Sequence, residues 1–226
     1  MRALALGTVL CLTTSVASAA ILDFEGNDSG DILNSFSVDG ITGSIAAVGF
    51  GKGSDLAMVF DTDNFTGGDD DLEAPFYAEL TGDNPPKGTP VDGTAQLSPG
   101  NVLIISEDGD SDDPDDNGQG GTITFKFDTV VTFMGFDVLD DVTNFTVTAD
   151  TDDSTGPISM AYDNQFKSFA DLNWAGVSEV VFNFGSASGA IDNIAFEATP
   201  IPVPASLPLL AAGFGIFGLM KRKRRG

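Results

Sequence analysis

The strongest constraint on the fold is the alternation of polar and apolar side chains along short segments of this chain. In residues 122–127, Ile123, Phe125 and Phe127 alternate with two threonines and a lysine. The segment 180–184 repeats the pattern. Because successive side chains of a strand point to opposite faces, each segment is predicted to be a strand with one buried face.

Similar segments recur along the chain, separated by turn-rich stretches. No convincing amphipathic helix precedes the C-terminal region, and 168–172 is expected to form at most one short turn. About ten half-buried strands predict an all-β fold, namely a jelly-roll-like β-sandwich. The segment 65–100, rich in Gly, Pro and Asp, is expected to be an ordered loop. The predicted strands are 21–25, 36–38, 41–48, 56–60, 102–106, 122–127, 130–139, 145–149, 158–162, 179–184 and 190–197.

The N-terminal residues 1–20 have the pattern of a secretory signal peptide. Arg2 supplies the positive charge, and 3–12 form an apolar stretch. Small residues follow, and cleavage is expected after Ala19 or Ala20. The chain is therefore predicted to be exported through the inner membrane, with 21–197 as its β-sandwich ectodomain.

The C-terminal residues have the pattern of a short membrane anchor. A Pro-rich linker, 198–204, precedes an apolar run of 16 residues, 205–220. A bilayer is normally spanned by about 20 apolar residues, so this predicted transmembrane helix is short. The basic tail 221–226 is expected to stay in the cytoplasm.

This C-terminal arrangement resembles the PEP-CTERM class of bacterial sorting signals in its VPLPA variant. The resemblance implies recognition by an exosortase-type membrane protease in a Gram-negative bacterium that makes exopolysaccharide. It also implies a membrane-anchored precursor that passes to the cell surface or extracellular matrix. The alternative is an ordinary single-pass anchor that is never cut. The sorting motif comprises Val203, Pro204, Ala205, Ser206, Leu207 and Pro208.

Charge and composition exclude several kinds of function. Residues 21–200 hold all 34 acidic residues and only four of the ten basic ones, which gives a formal charge of −30. Such a surface repels nucleic acid. The chain has no His, and its single Cys11 lies in the leader, so no Cys–His catalytic pair and no ordinary zinc site is expected. The acidic surface attracts cations, and Ca²⁺ is the expected one outside the cytoplasm.

Candidate Ca²⁺ ligands lie in acidic segments. Asp113-x-Asp115-x-Asn117-Gly118 matches the opening of an EF-hand loop, although Thr124 replaces the Glu expected at position 12. A separate acidic segment, 60–72, adds Asp61. The alternative is a solvated acidic loop that keeps the protein soluble.

A second resemblance concerns the ectodomain, which looks like a domain often found on PEP-CTERM proteins. Its first and last strands, Leu22-Asp23-Phe24-Glu25-Gly26 and 189–196, are similar to the terminal strands of jelly-roll carbohydrate-binding modules. That similarity implies a structural Ca²⁺ held by Glu25 and Asp192. The alternative for Asp192-Asn193 is a turn pair at a strand end that makes local hydrogen bonds. Of the aromatic residues that could stack on a sugar, the Phe76–Tyr77 pair is the preferred candidate, whereas Trp174 is expected in the core.

The function predicted from these features is that of a non-enzymatic cell-surface or exopolysaccharide-matrix protein. Its ectodomain is expected to be stabilised by Ca²⁺ and to bind glycans. One alternative is a carboxylate-based enzyme acting on glycans, although no single pair of carboxylates stands out among so many. The other is an unprocessed, tail-anchored periplasmic domain that binds a protein partner.

Overall fold

The structure is a computed structural model that describes residues 19–65, 70–77, 96–140, 142–160 and 164–199. The predicted leader up to residue 18, the predicted sorting motif, the apolar run 205–220 and the basic tail lie outside the described residues. Within the described ranges, no helix has the length and apolar character needed to cross a membrane.

The described residues form strands joined by turns, with one short 3₁₀ turn at Asp70–Leu72. Apolar side chains alternate with exposed ones along several strands, as in Ile41–Gly49. The strands are β1 (Ala20–Leu22), β2 (Ser35–Val38), β3 (Ile41–Gly49), β4 (Ala57–Asp61), β5 (Phe76–Tyr77), β6 (Gln96–Leu97), β7 (Asn101–Ile105), β8 (Gly121–Leu139), β9 (Thr146–Ala149), β10 (Phe166–Phe169), β11 (Trp174–Asn183) and β12 (Ala190–Ala198).

Ten of these strands belong to one antiparallel sheet, and the short pair β5–β6 forms a second. The main path runs β2-β3-β8-β12-β7-β4, with β1 beside β12, β10 and β11 beside β8, and β9 beside β11. The all-β class is therefore confirmed. Two separate sheets were expected, but the strands share one hydrogen-bonded sheet that curls on itself.

The strand that curls the sheet is β8, because its two halves have different neighbours on one edge. Its first half pairs with β3, with Gly43 opposite Phe127. Its second half pairs with β12, whereas the other edge of β8 is paired with β11 as far as Phe133 and with β10 from Phe136 to Leu139. The pairing with β11 shifts register on both sides of Val177, and such bulges bend strands. The two halves of the sheet are thereby turned toward each other.

The core lies inside this curl and is rich in phenylalanine. The ring of Phe36 on β2 lies 5.7 Å from that of Phe196 on β12, and Phe127 lies 5.0 Å from the same ring. Phe182 on β11 packs edge-on against Phe136 on β8 at 5.2 Å. Each fully buried Phe contributes about 1.5–3 kcal/mol through removal of apolar surface from water.

Several predicted strand boundaries change in the structure. The segments 122–127 and 130–139 are one strand of 19 residues, because the exposed residues between them keep an extended backbone. The turn expected at 168–172 overlaps the end of β10. Of the strand expected at 158–162, Ile158 makes an isolated bridge to Phe145, and 161–162 lie outside the described residues.

The two ends of the described body lie side by side. Ala20 at the start of β1 is the register partner of Phe196 near the end of β12. Because the two strands are antiparallel, the chain enters through Ala19 and leaves through Thr199 at the same pole of the body.

Candidate acidic metal site

The candidate site lies where two strands part along one edge of β12. Ile191 pairs with Leu103 on β7, whereas Ile194 pairs with Leu22 on β1. Asp192 stands between these pairings, and on the opposite edge its partner is Asp137 on β8. The fork therefore brings the end of β1, the start of β7 and the last residues of β8 close to one carboxylate.

A bulge in β12 shapes this fork. The register with β8 shifts between Asp192 and Ala195, and Asn193 adopts a left-handed backbone with φ of 50°. Asn tolerates this conformation better than most residues. The Asn193 side-chain amide donates to Asp137 Oδ2 at 2.9 Å and to Asp192 Oδ2 at 3.0 Å. One amide group thus bridges two carboxylates.

Asp192 is the most unusual carboxylate of the site. It is 1% exposed, and its Oδ1 is buried without a hydrogen-bond partner. Burial raises the pKa of Asp192 to about 8, against a backbone hydrogen bond from Asn193 that lowers it. The charges of Asp137, Glu25 and Asp23 raise this pKa further. We call these four acidic residues the Asp192 cluster.

Glu25 is held in place by the start of β7. Its Oε1 accepts a hydrogen bond from the backbone N–H of Asn101 at 2.9 Å. Gly100 has a φ of 75°, and a Cβ added there would lie 2.4 Å from Glu25 Oε1. A glycine is therefore required both by the backbone and by the packing of the carboxylate.

Asp61 reaches the same end of β7 from the neighbouring strand. It is the register partner of Asn101, and its Oδ1 accepts a hydrogen bond from the backbone N–H of Asp63 at 3.0 Å. The structure thus brings three predicted ligands, Glu25, Asp61 and Asp192, to one region of the sheet. Each comes from a different strand or strand end, so only the fold places them together.

The chemistry of the Asp192 cluster suits a hard cation such as Ca²⁺. Ca²⁺ takes several oxygen ligands, including carboxylates and backbone carbonyls. The buried, unpartnered Oδ1 of Asp192 is an acceptor without a donor, and a cation would satisfy it. In the described part of the chain, no three acidic side chains are close enough together to form a ready-made metal site. A bound ion would therefore recruit backbone carbonyl or water oxygens, or draw the carboxylates together.

The EF-hand-like segment lies at the other end of β7, in the connection to β8. The backbone N–H of Glu107 donates to the Asp115 carbonyl at 3.1 Å. The Oδ1 of Asp115 is buried without a hydrogen-bond partner. Burial raises the pKa of Asp115 to about 6, with added repulsion from Glu107, Asp108, Asp113 and Asp110. This loop is a second concentration of negative charge.

Asn117 has a structural role in this loop. It is 3% exposed, and its side-chain amide donates to the carbonyls of Phe50 at 3.0 Å and Gly120 at 2.6 Å. Its Oδ1 accepts from the backbone N–H of Gln119 at 3.2 Å. The side chain therefore closes the turn into β8. Asp113 and Asp115 stay on the loop before it.

Three members of the site were not predicted from the sequence, namely Asp137, Asp23 and Asn193. Asp137 could have been found, because it interrupts the apolar run of β8 between Phe136 and Val138. A carboxylate in such a run needs a partner or a special environment. The role of Asn193 depends on a bulge that no local pattern reveals.

The aromatic candidates for sugar stacking are placed differently from the expectation. Phe76 and Tyr77 are 0% and 2% exposed, so the preferred pair is wrong. Trp174 is buried against Phe133, as expected for a core residue. In the described ranges the exposed large aromatic side chain is Phe50, at 39%.

The chain was compared with protein-family models, with curated proteins and with solved structures, and none of them matches it.

Proposed function

We propose that the chain is an exported, non-enzymatic cell-surface or exopolysaccharide-matrix protein, with a jelly-roll-like ectodomain stabilised by Ca²⁺. An exosortase-type membrane protease would recognise its C-terminal motif and release the ectodomain from a membrane-anchored precursor. The sequence of the C-terminal region supports the sorting step, and the acidic fork supports the calcium.

The observation that carries the proposal is the shared pole of the two chain ends. Ala20 is paired with Phe196, so a leader before β1 and an anchor after β12 would both be attached at one end of the body. A precursor with both segments in one bilayer can therefore fold with its body entirely on one side. Ends at opposite poles would require long linkers to reach the same membrane.

The calcium part of the proposal is supported by uncompensated charge. Asp192 is buried beside Asp137 and Glu25. In the described residues, Lys126 in the first half of β8 forms an ion pair with Glu179 on β11, away from these carboxylates. A buried carboxylate without a cation is neutralised by a proton instead. Outside the cell, Ca²⁺ is available to take that position, with Glu25 and Asp192 as its carboxylate ligands and backbone carbonyl or water oxygens completing its coordination.

The non-enzymatic part of the proposal is supported by the burial of Asp192, whose carboxylate a substrate cannot reach. Catalytic carboxylates with raised pKa values must reach their substrate. Burial raises the pKa of the Asp192 carboxyl to about 8, but this side chain is 1% exposed. Its environment suits structural ion binding better than proton transfer to a glycan.

Glycan association would use the loop that follows β3. Phe50 is exposed there, and Val48 beside it is 50% exposed. Hydrogen bonds of Phe50 N to the Gly120 carbonyl and of Asn117 to the Phe50 carbonyl fix this backbone. A fixed aromatic ring at an exposed loop is suited to stacking on a pyranose ring.

The sorting step is tested by the intact mass of the mature C-terminus in a host that carries an exosortase-type protease. We expect the wild-type chain to end near 203–206. Pro204→Ala should retain the full basic tail, whereas Pro200→Ala, which lies before the motif, should be cut normally. A wild-type chain that still ends in Lys223-Arg224-Arg225-Gly226 would overturn the sorting proposal.

A further inference from the structure

A cleft of about 370 Å³ opens beside the start of β1, away from the residues assigned above to glycan contact. Its walls come from β8, β10 and β12 and from the turn after β10. Apolar groups form most of its floor. The groups that matter to the argument are Ala19, Asp137, Ser168, Phe169, Asp171 and Asn193.

The shape of the cleft follows from the glycine in the middle of β8. A Cβ at Gly135 would lie 2.1 Å from the Phe169 carbonyl oxygen, so the chain after β10 can lie directly against β8. The backbone N–H of Leu172 donates to the Met134 carbonyl at 3.0 Å and secures this turn. Asp171, with φ of 60°, is thereby placed on the cleft wall facing the strand that carries Asp137.

The first described residue is itself part of the cleft wall. Ala19 is exposed and lines the cleft, whereas Ala20 is 1% exposed and paired with Phe196. The change from an exposed to a buried residue therefore falls at the Ala19–Ala20 bond, which is the first of the two bonds at which cleavage is expected. Cleavage there would keep all of β1 and place a new chain end at the cleft.

We propose that this cleft is an ammonium-binding site whose ligand is the chain's own N-terminus, the Ala20 amino group released by cleavage after Ala19. The proposal rests on the export processing proposed above. Asp137 and Asp171 would bind the positive charge, with the Ser168 hydroxyl and the Asn193 carbonyl oxygen as neutral acceptors.

Electrostatics favour this occupant. A cavity of this volume is about 9 Å across, so an ammonium group inside it lies within about one Debye length of every carboxylate on its walls. The acidic groups on the surrounding elements near the cleft are Asp137 on β8, Asp171 after β10, and Asp192 and Glu197 on β12, whereas Lys126 and Asp128 lie in the first half of β8. The cation on β10, Lys167, lies with its Nζ 5.2 Å from the centre of the Phe169 ring.

The test uses the exported full chain, purified and methylated reductively with ¹³C so that its N-terminal amine can be titrated by NMR. Mass analysis of the N-terminal peptide should first show Ala20 as the first residue. The α-amino pKa should lie above its ordinary range of about 7.7–8.0. Asp171→Asn and Asp137→Asn should each lower it by about half a unit.

Asp152→Asn is the matched control, because Asp152 is exposed, has a φ of 67° that Asn accepts, and lies after β9. This variant should leave the α-amino pKa unchanged. A processed chain with an ordinary α-amino pKa, or an equal decrease in all three variants, would overturn the cleft assignment and leave export intact. A chain that keeps its leader would overturn both, and a mature chain starting at Ile21 would overturn the assigned bond.

Discussion

Asp192 on β12 lies directly opposite Asp137 on β8, and one amide group, that of Asn193, donates to both carboxylates. Two adjacent carboxylates repel each other unless a proton or a cation lies between them. The neutral amide reduces this repulsion but carries no charge. The stability of the body should therefore depend on what neutralises this pair.

Calcium is expected to raise the melting temperature of the protein. For a site of millimolar or somewhat tighter affinity, Ca²⁺ at ten times the dissociation constant adds about 1.4 kcal/mol, or roughly 3 °C for a body of this size. Calorimetry in Ca²⁺ and in chelator measures the shift, with equal Mg²⁺ as the control for screening. Asp192→Asn should abolish the shift, and Asp152→Asn should retain it. An equal melting temperature of the wild-type protein in Ca²⁺ and in chelator would contradict the calcium proposal.

In chelator, the free energy of unfolding should fall as the pH rises from about 4 to about 8. Asp192 has a folded-state pKa of about 8, whereas an unfolded Asp has about 3.9. Between these values the folded state holds a proton that the unfolded state releases, so stability decreases with pH, by on the order of 5 kcal/mol over the window.

Urea unfolding of wild type and Asp192→Asn at several pH values checks this prediction. The variant should gain stability relative to wild type as the pH rises, because it has no proton to lose. If the difference between the two proteins is independent of pH, Asp192 does not titrate as described.

Gly100→Ala should weaken calcium binding as well as stability. The new Cβ would displace the Glu25 carboxylate and also occupy a left-handed φ of 75°. Gly176→Ala is a matched control, since Gly176 has a φ of 79° and no atoms near the added Cβ. Both variants should lose about 1–2 kcal/mol from backbone strain. Only Gly100→Ala should also reduce the calcium-induced melting shift, and equal shifts in the two would argue against Glu25 as a ligand.

Asn117→Ala should destabilise the protein equally in Ca²⁺ and in chelator. The substitution leaves the carbonyls of Phe50 and Gly120 without their side-chain donor, which costs about 1–3 kcal/mol. Chemical unfolding in both conditions measures the loss. A loss confined to the Ca²⁺ condition would show instead that Asn117 acts as an ion ligand.

Phe50→Ala should reduce retention of the protein on immobilised exopolysaccharide from a producing bacterium. Loss of one stacking aromatic ring removes about 0.5–1.5 kcal/mol beyond its buried area, or several-fold in affinity. Val130→Ala is the control, since Val130 is an exposed apolar residue in the middle of β8, at 51%. Equal retention of wild type and Phe50→Ala would remove Phe50 from the glycan proposal.

The sequence predicted the β class well because alternation is a local property. The pattern at Ile123, Phe125 and Phe127 matches their burial in β8. The predicted strands 36–38, 41–48 and 190–197 fall close to β2, β3 and β12, whereas the predicted strand 21–25 extends three residues past the end of β1. The curl of the sheet could not be predicted, because it depends on which strand pairs with each half of β8. That pairing is determined by contacts between residues far apart in the chain.

The candidate site was predictable in its residue types but not in its grouping. Glu25 and Asp192 came from a resemblance, and the structure places them at one fork. Asp137 joins them only through register across β8 and β12. Phe76 and Tyr77 were misjudged because their surroundings in a long loop gave no sign that this segment returns to the main sheet, where Phe76 packs in a buried cluster with Phe60 of β4 and Val102 of β7.

The position of β12 has a mechanical consequence. This last strand is paired on both edges, with β8 on one side and with β7 and β1 on the other. Tension applied through the C-terminal tail would act along β12 and strain many perpendicular hydrogen bonds at once in shear, rather than peeling them apart singly. While the tail stays attached, a pulling force therefore enters the body through a strand that is hydrogen-bonded on both edges. Drag from flowing water would have to break both sets of strand–strand hydrogen bonds together to unfold the body.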